Sequence, residues 1–262
     1  MDHRGRLEEL RTLTDLGGAA APSHLVWSAR ARPDGTFGAG VRAWRYGSAV
    51  AVASPDSSRR DRIAVAGDAA RADDAVVLVC KVLSLVGDGY RPFGEAELIA
   101  PAAAAAGLTL GADFLWMETK TPTGMPGGET RWLTEAETRS AIPLYDQHFP
   151  SSLAQPADPT GLRWAGIVEA GGPLSLAADA WSAQGCGLLG GVLTDPGARG
   201  RGLGRAVCAF VVDELVRTYG RAALMVDADN PGAIGVYERL GLRGRPFLAA
   251  FGPSAIPPAP AA

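Results

Sequence analysis

Gly187 to Arg205 read GLLGGVLTDPGARGRGLGR: an apolar run, a turn, then a basic glycine-rich segment opening a helix. Leu188 to Thr194 has the length and apolar continuity of a buried strand. Asp195, Pro196 and Gly197 end it. From Gly204 the pattern becomes helical, with Leu203, Val207, Phe210, Val211 and Leu215 recurring at spacings of three and four. Within the strand, Gly190-Gly191 weakens pairing and predicts a bulge; a glycine pair packed under a neighbouring tryptophan is the other reading.

The glycine segment has a physical use. The first turn of a helix leaves backbone N–H groups unpaired at the positive end of its dipole, and such an end holds phosphate oxygens. Gly200, Gly202 and Gly204 allow left-handed backbone and close approach of a ligand. Arg199, Arg201 and Arg205 add guanidinium forks suited to phosphate. A dinucleotide fingerprint beginning at Gly200 needs a small residue where Arg205 stands, and a P-loop needs a lysine followed by Ser or Thr. Neither is present.

Arg199, Gly202 and Gly204 resemble the acyl-CoA pyrophosphate loop of the GNAT family of N-acyltransferases. A second match follows the apolar strand Ala222 to Val226 and the polar turn Asp227 to Asp229, where the chain reads NPGAIGVYERLGL. Asn230, Ala233, Tyr237 and Gly241 stand where that family places an asparagine, an alanine, a tyrosine and a glycine around a short helix. Asn230 is also a good N-cap, Pro231 suits the first helical position and Gly241 is a helix stop.

The resemblance implies an α/β (α+β) fold of two GNAT-like halves, each a twisted mixed sheet flanked by helices, the first degenerate. The expected units are a degenerate domain over 1–120, a linker over 121–130, a catalytic domain over 131–252 and a disordered tail over 253–262. The GGVLTDPGARGRGLG stretch resembles the branch related to glycine N-acyltransferases. Acetyl-CoA, or another acyl-CoA, is then the co-substrate and no metal is needed. The cofactor-binding set is Val192, Leu193, Thr194, Arg199, Gly200, Arg201, Gly202, Leu203, Gly204, Arg205, Asn230 and Tyr237. The bulge splays two parallel strands, pantetheine lies against Val192 to Thr194, and an N–H near Val192 polarises the thioester.

A neutral amine attacks directly in a ternary complex, with Tyr237 as the general acid for the departing thiolate. Many members of the family carry a glutamate on the central strand as base. Gly187 to Thr194 has no carboxylate, which leaves Glu169, Asp179, Asp195 or a relayed water. A non-catalytic acyl-CoA sensor or partner-binding module is the alternative, because a fold does not guarantee its chemistry. A small-molecule or peptide amine is the expected acceptor.

The 262 residues carry a net charge of −3 and are 47% hydrophobic, enough for real cores. No basic face is forced, so neither nucleic acid nor a membrane surface is expected as a partner. The N-terminal stretch lacks an apolar signal core and the longest apolar run, Ala75 to Val86, is interrupted by Lys81. The expectation is a cytoplasmic monomer or homodimer. Cys80, Cys186 and Cys208 read as isolated thiols, and His3, His24 and His148 share no motif with an acid or nucleophile.

Elsewhere the pattern predicts a helix over Arg6 to Leu16, a strand or hairpin arm over Val41 to Ala53 and a strand over Arg62 to Val65. Asp74 to Val86 reads as a helix capped by Asp73 or Asp74, although its β-branched content also permits a strand. Glu95 to Ala106 is a helix stopped by Gly107, and Asp113 to Glu118 a strand. The first half's phosphate loop, expected after Val52 and Ala53, is missing, since Ser54 to Arg62 contains no glycine. Arg131 to Thr134 is a short strand, Glu135 to Gln147 a helix interrupted by Pro143, and Trp164 to Trp181 a hairpin. Gly244 to Phe251 is the last strand.

Overall fold

A computed structural model describes residues 5–253 apart from 159 and 161. The chain is a mixed α/β structure built on one large mixed sheet flanked by helices. In chain order its first half forms β1 (Glu8–Leu10), α1 (Ser23–Ala29), β2 (Arg42–Tyr46), β3 (Ala49–Ser54), β4 (Arg62–Ala66) and α2 (Ala72–Val86). β5 (Arg91–Glu95), α3 (Ala96–Ala106), β6 (Thr109–Leu110) and β7 (Phe114–Thr119) follow. The second half forms β8 (Arg131–Trp132), α4 (Glu135–Ser140), α5 (Ile142–His148), β9 (Arg163–Glu169), β10 (Gly172–Asp179) and β11 (Gly187–Thr194). It ends with α6 (Leu203–Tyr219), β12 (Ala222–Asp227), α7 (Pro231–Arg239) and β13 (Arg243–Phe251). The expected tail lies outside the described residues from 254 onward.

The strands run β1-β2-β3-β4-β5-β13-β7-β12-β11-β10-β9-β8, with β6 on β13. β7, from the first half of the sequence, lies between β12 and β13. β13, the last strand, pairs with β7 through Arg243 to Phe247 and then with β5 and β6 through Phe247 to Phe251. The two halves of the chain therefore exchange strands at the middle of the sheet. α1 covers one face there, where Trp27, Phe93, Trp116 and Phe247 are all at most 1% exposed. α6 packs on the opposite face of the second half, over Met117, Leu189, Leu224 and Tyr237.

Three expectations are corrected. The stretch predicted as a helix over Arg6 to Leu16 is strand β1 followed by a turn. Its leucines have helical spacing, but Glu8 to Leu10 pair with Arg45 to Ala43, and the Asp15 carboxylate takes the Arg11 and Thr12 N–H groups at 2.9 Å. Ser54 to Arg62 joins two antiparallel strands, so it is not the place for a phosphate loop. The helix-entering turn of the first half is 67–71, where Asp68 accepts the Ala70 N–H at 3.0 Å. Asp73 and Asp74 lie in the first turn of α2, but neither caps it; the Asp74 carboxylate instead takes the Ser48 N–H and hydroxyl. The start of α2 thus carries both signs of charge, Arg71 at its N-cap pairing with Asp74 at 3.0 Å.

Helix α1 escaped the sequence reading because SHLVWSA is buried on every side and shows no polar face.

Candidate functional site

β11 and β12 are parallel and pair only at Gly187↔Ala222 and Leu188↔Ala223. β12 remains paired to β7 as far as Asp227. The two strands therefore part after Leu188 and leave a wedge. On its other edge β11 stays with β10, but Leu176 and Ala178 face Leu193 and Gly190, so β11 holds one extra residue. Gly191 sits in this bulge at φ +59°, and a Cβ there would come within 2.6 Å of Trp164 Cη2. The bulge and the tryptophan are both present, one set against the other.

The Asp195 N–H bonds Leu174 O, and Leu193 faces Leu176 in the same ladder. Alternation along the strand turns the Val192 and Thr194 backbone into the wedge. Tyr145, from α5, donates its hydroxyl to the Gly191 carbonyl. Its ring stands edge-on to Trp164, 5.3 Å between centroids. Burial pushes the Tyr145 hydroxyl well above the ordinary tyrosine range, so it remains a donor.

The wedge leads to the loop before α6. Asp195 folds back to accept the Gly197 N–H at 2.7 Å. Gly200 and Gly202 both have φ +79°, and nothing lies within 4 Å of where their side chains would be. Gly202 is the N-cap of α6 and offers no side-chain bond, so the first-turn N–H groups are left for another acceptor. A Cβ on Gly204 would lie 2.9 Å from Thr194 Oγ1, so a larger residue would have to displace that hydroxyl. An open cleft of about 400 Å³ runs over Thr194, this loop and the Val236 and Arg239 side chains of α7. Arg199 and Arg205 line it, and Arg201 does not. Val236 and Arg239 were missed, although both lie within one helical turn of Tyr237.

Tyr237 is 7% exposed and packs in the core beneath α6. Its hydroxyl makes no hydrogen bond among the described residues, yet it is not sealed from solvent. Burial, then the neighbouring Cys208, raises its pKa far above the usual value, which keeps it protonated. Asn230 serves its helix: its side chain accepts the Ala233 N–H at 3.1 Å.

The two acids singled out in the sequence are far from equivalent. Glu169 ends β9 and pairs with Arg201 at 2.7 Å, both half-exposed, beside the glycine loop rather than the bulge. Asp179 faces Leu189, next to Gly190, and is bonded by Ser182 and by Tyr219 at 3.2 Å. Burial raises its pKa. A third acid appears only in the structure. Glu118 on β7 faces Ala223, on the side of the sheet away from α6, and its Oε2 is buried with no hydrogen-bond partner. The strand exchange brings it there from the first half of the chain. No group of residues able to hold a metal occurs among the described residues. None of their helices is long and apolar enough to cross a membrane.

A family model described as FR47-like protein matches residues 164–247, the stretch from β9 into β13. No curated protein matches the chain in sequence. Solved structures share the fold. A GNAT-family protein from Novosphingobium aromaticivorans superposes with a TM-score of 0.52 at 18% identity, over 87% of this chain and 96% of its own. A GCN5-related N-acetyltransferase from Sphaerobacter thermophilus gives 0.53 at 13%, over 94% and 95%. One from Kribbella flavida gives 0.51 at 19%, over 79% and 87%.

Proposed function

From the fold it shares with GNAT proteins, we propose that the chain is an acyltransferase moving an acetyl or other short acyl group from acyl-CoA to a primary amine. The observation that carries this reading is the wedge between β11 and β12, which opens onto the uncapped start of α6. The pyrophosphate would lie on the free N–H groups of that turn with Arg199 and Arg205 around it. The pantetheine arm would run in the wedge against Val192 and Thr194. The bulge would set the thioester carbonyl near the Val192 N–H, which would then serve as a donor to the oxyanion of the tetrahedral intermediate.

The amine attacks in a ternary complex, so no covalent enzyme intermediate forms and alignment supplies much of the rate. Tyr237, protonated and unpartnered, gives a proton to the leaving thiolate. The attacking ammonium loses its proton to water or to a carboxylate; Glu118, on the face away from α6, and Asp179 are the acids near the wedge. The acceptor is a small-molecule or peptide amine, and the setting a cytoplasmic monomer or homodimer.

A tandem arrangement related to glycine N-acyltransferases is the finer part of the proposal. Its support is that the order strand, helix, three strands, helix, strand, helix, strand recurs, with the two-residue β6 extra before the last strand of the first pass and α4 and α5 together filling the first helical place of the second. The absence of a carboxylate on β11 favours the second reading, an acyl-CoA sensor without turnover.

Calorimetric titration with acetyl-CoA, alongside an Arg199→Ala, Arg205→Ala variant, tests the proposal. Micromolar binding that the variant loses is expected. If neither acetyl-CoA nor longer acyl-CoAs bind, both readings fail.

A further inference from the structure

We propose that Arg62, with Ser54, forms a binding site in the first half of the sheet for one oxyanion, the carboxylate or phosphate group of a small molecule. This site is independent of the acyl-transfer reading. Val52, Ala64 and Phe93 turn toward α1. Two residues along each strand, alternation puts Ser54, Arg62 and Arg91 on that same face, and they lie in one row across β3, β4 and β5.

Arg62 is 7% exposed. Its guanidinium carbon lies 5.6 Å from the Phe93 ring centre and 6.0 Å from that of Trp27. Nε donates to the Ser57 carbonyl at 3.0 Å and to Ser58 Oγ at 3.1 Å. Nη1 and Nη2 have no partner among the described residues, and neither is sealed from solvent. No carboxylate among the described residues pairs with this side chain. Burial, then the charges of Arg60 and Arg91, lower its pKa to about 9, so the surroundings add repulsion to desolvation.

A buried guanidinium without a counter-charge is costly, and a planar donor fork left open matches the two oxygens of a carboxylate or phosphate. Across the register, Ser54 Oγ is fully buried and has no partner either. The loop supplying Ser57 and Ser58 is held in strain, with left-handed φ of 49°, 47° and 62° at Asp56, Ser58 and Arg59. Asp61 pins it through the Asp56 N–H at 2.8 Å, and Asp158 through Arg59 at 2.6 Å. Strain of this kind collects at binding sites.

Thermal unfolding of the full chain, titrated with inorganic phosphate or succinate against sodium chloride at matched ionic strength, tests the site. One of the two anions should raise Tm saturably by several degrees, and which one identifies the group. Arg62→Met should abolish the rise. Should that variant not fold, Ser54→Ala should still weaken apparent affinity tenfold or more. No rise above the chloride control with either anion overturns the proposal, as does a rise unchanged in Ser54→Ala.

Discussion

The Tyr145 hydroxyl bonds the carbonyl of Gly191, so a helix preceding the central strand fixes the shape of that strand's bulge. Tyr145→Phe removes the donor and leaves a half-buried carbonyl unmatched, which costs about 1–3 kcal/mol. For a chain of this size that lowers Tm by roughly 2–4 °C per kcal/mol. The sharper readout is functional. A relaxed bulge should raise the Kd for acetyl-CoA and lower kcat, whereas a Tyr145 that only stabilises would change Tm and leave both alone.

Gly191→Ala combines a left-handed backbone with a contact of 2.6 Å to Trp164. Overpacking costs about 1–3 kcal/mol, and an alanine at positive φ adds to it. Urea unfolding of Gly191→Ala, Trp164→Leu and the double variant gives the coupling. The double variant should be more stable than the sum of the singles predicts, because removing the indole relieves the clash but not the backbone strain.

The candidate site was legible where the proposed chemistry lies in consecutive residues. Arg199 to Arg205 and Asn230 to Gly241 could be read because a glycine turn and a capped helix are local patterns. Tyr145, Glu118 and Arg239 were not, for three separate reasons. Tyr145 belongs to an apolar repeat, Ile142, Tyr145 and Phe149, that foretells burial but not a hydroxyl directed at a bulge. Glu118 enters the second half only through the exchange of β7 and β13, a long-range pairing that no local window contains. Arg239 reads as an ordinary cation in the last turn of a helix. The one strand mistaken for a helix, β1, has leucines at helical spacing and is held by its neighbour β2.

Tyr237 separates an enzyme from a sensor. Tyr237→Phe keeps the ring in its core and removes a hydroxyl that bonds nothing among the described residues, so Tm should change little. As general acid its loss should lower kcat about 10²–10⁴-fold at unchanged acetyl-CoA affinity. With its pKa raised far above the ordinary value, ionisation of Tyr237 should not end activity below about pH 10. Equal turnover in Tyr237→Phe removes it from the mechanism.

The strand exchange predicts that the halves do not separate. A fragment of residues 131–252 lacks β7, which covers β12 along six residues from Ala222 to Asp227. It also leaves the end of β13 without β5 and β6. Open edges of this length invite association. The fragment should be recovered as aggregate, and co-expression with residues 1–130 should restore a soluble complex. A monomeric, cooperatively folding 131–252 would mean that β7 is dispensable.

His24 sets the acid limit of stability. It is fully buried among Phe93, Trp116 and Phe247, with Nε2 2.9 Å from Val65 O and Nδ1 unpartnered. Burial lowers its pKa from 6.5 to about 3. The folded chain therefore keeps His24 neutral, while the unfolded chain takes up a proton below pH 6.5. Its contribution is whole above pH 6.5 and is lost as pH falls toward 3, with a slope approaching 1.4 kcal/mol per pH unit. Urea midpoints between pH 7 and 4 should fall for the natural chain. His24→Gln, which retains a donor for Val65 but does not titrate, should flatten that limb. An identical slope in the variant would assign the acid sensitivity to the paired carboxylates instead.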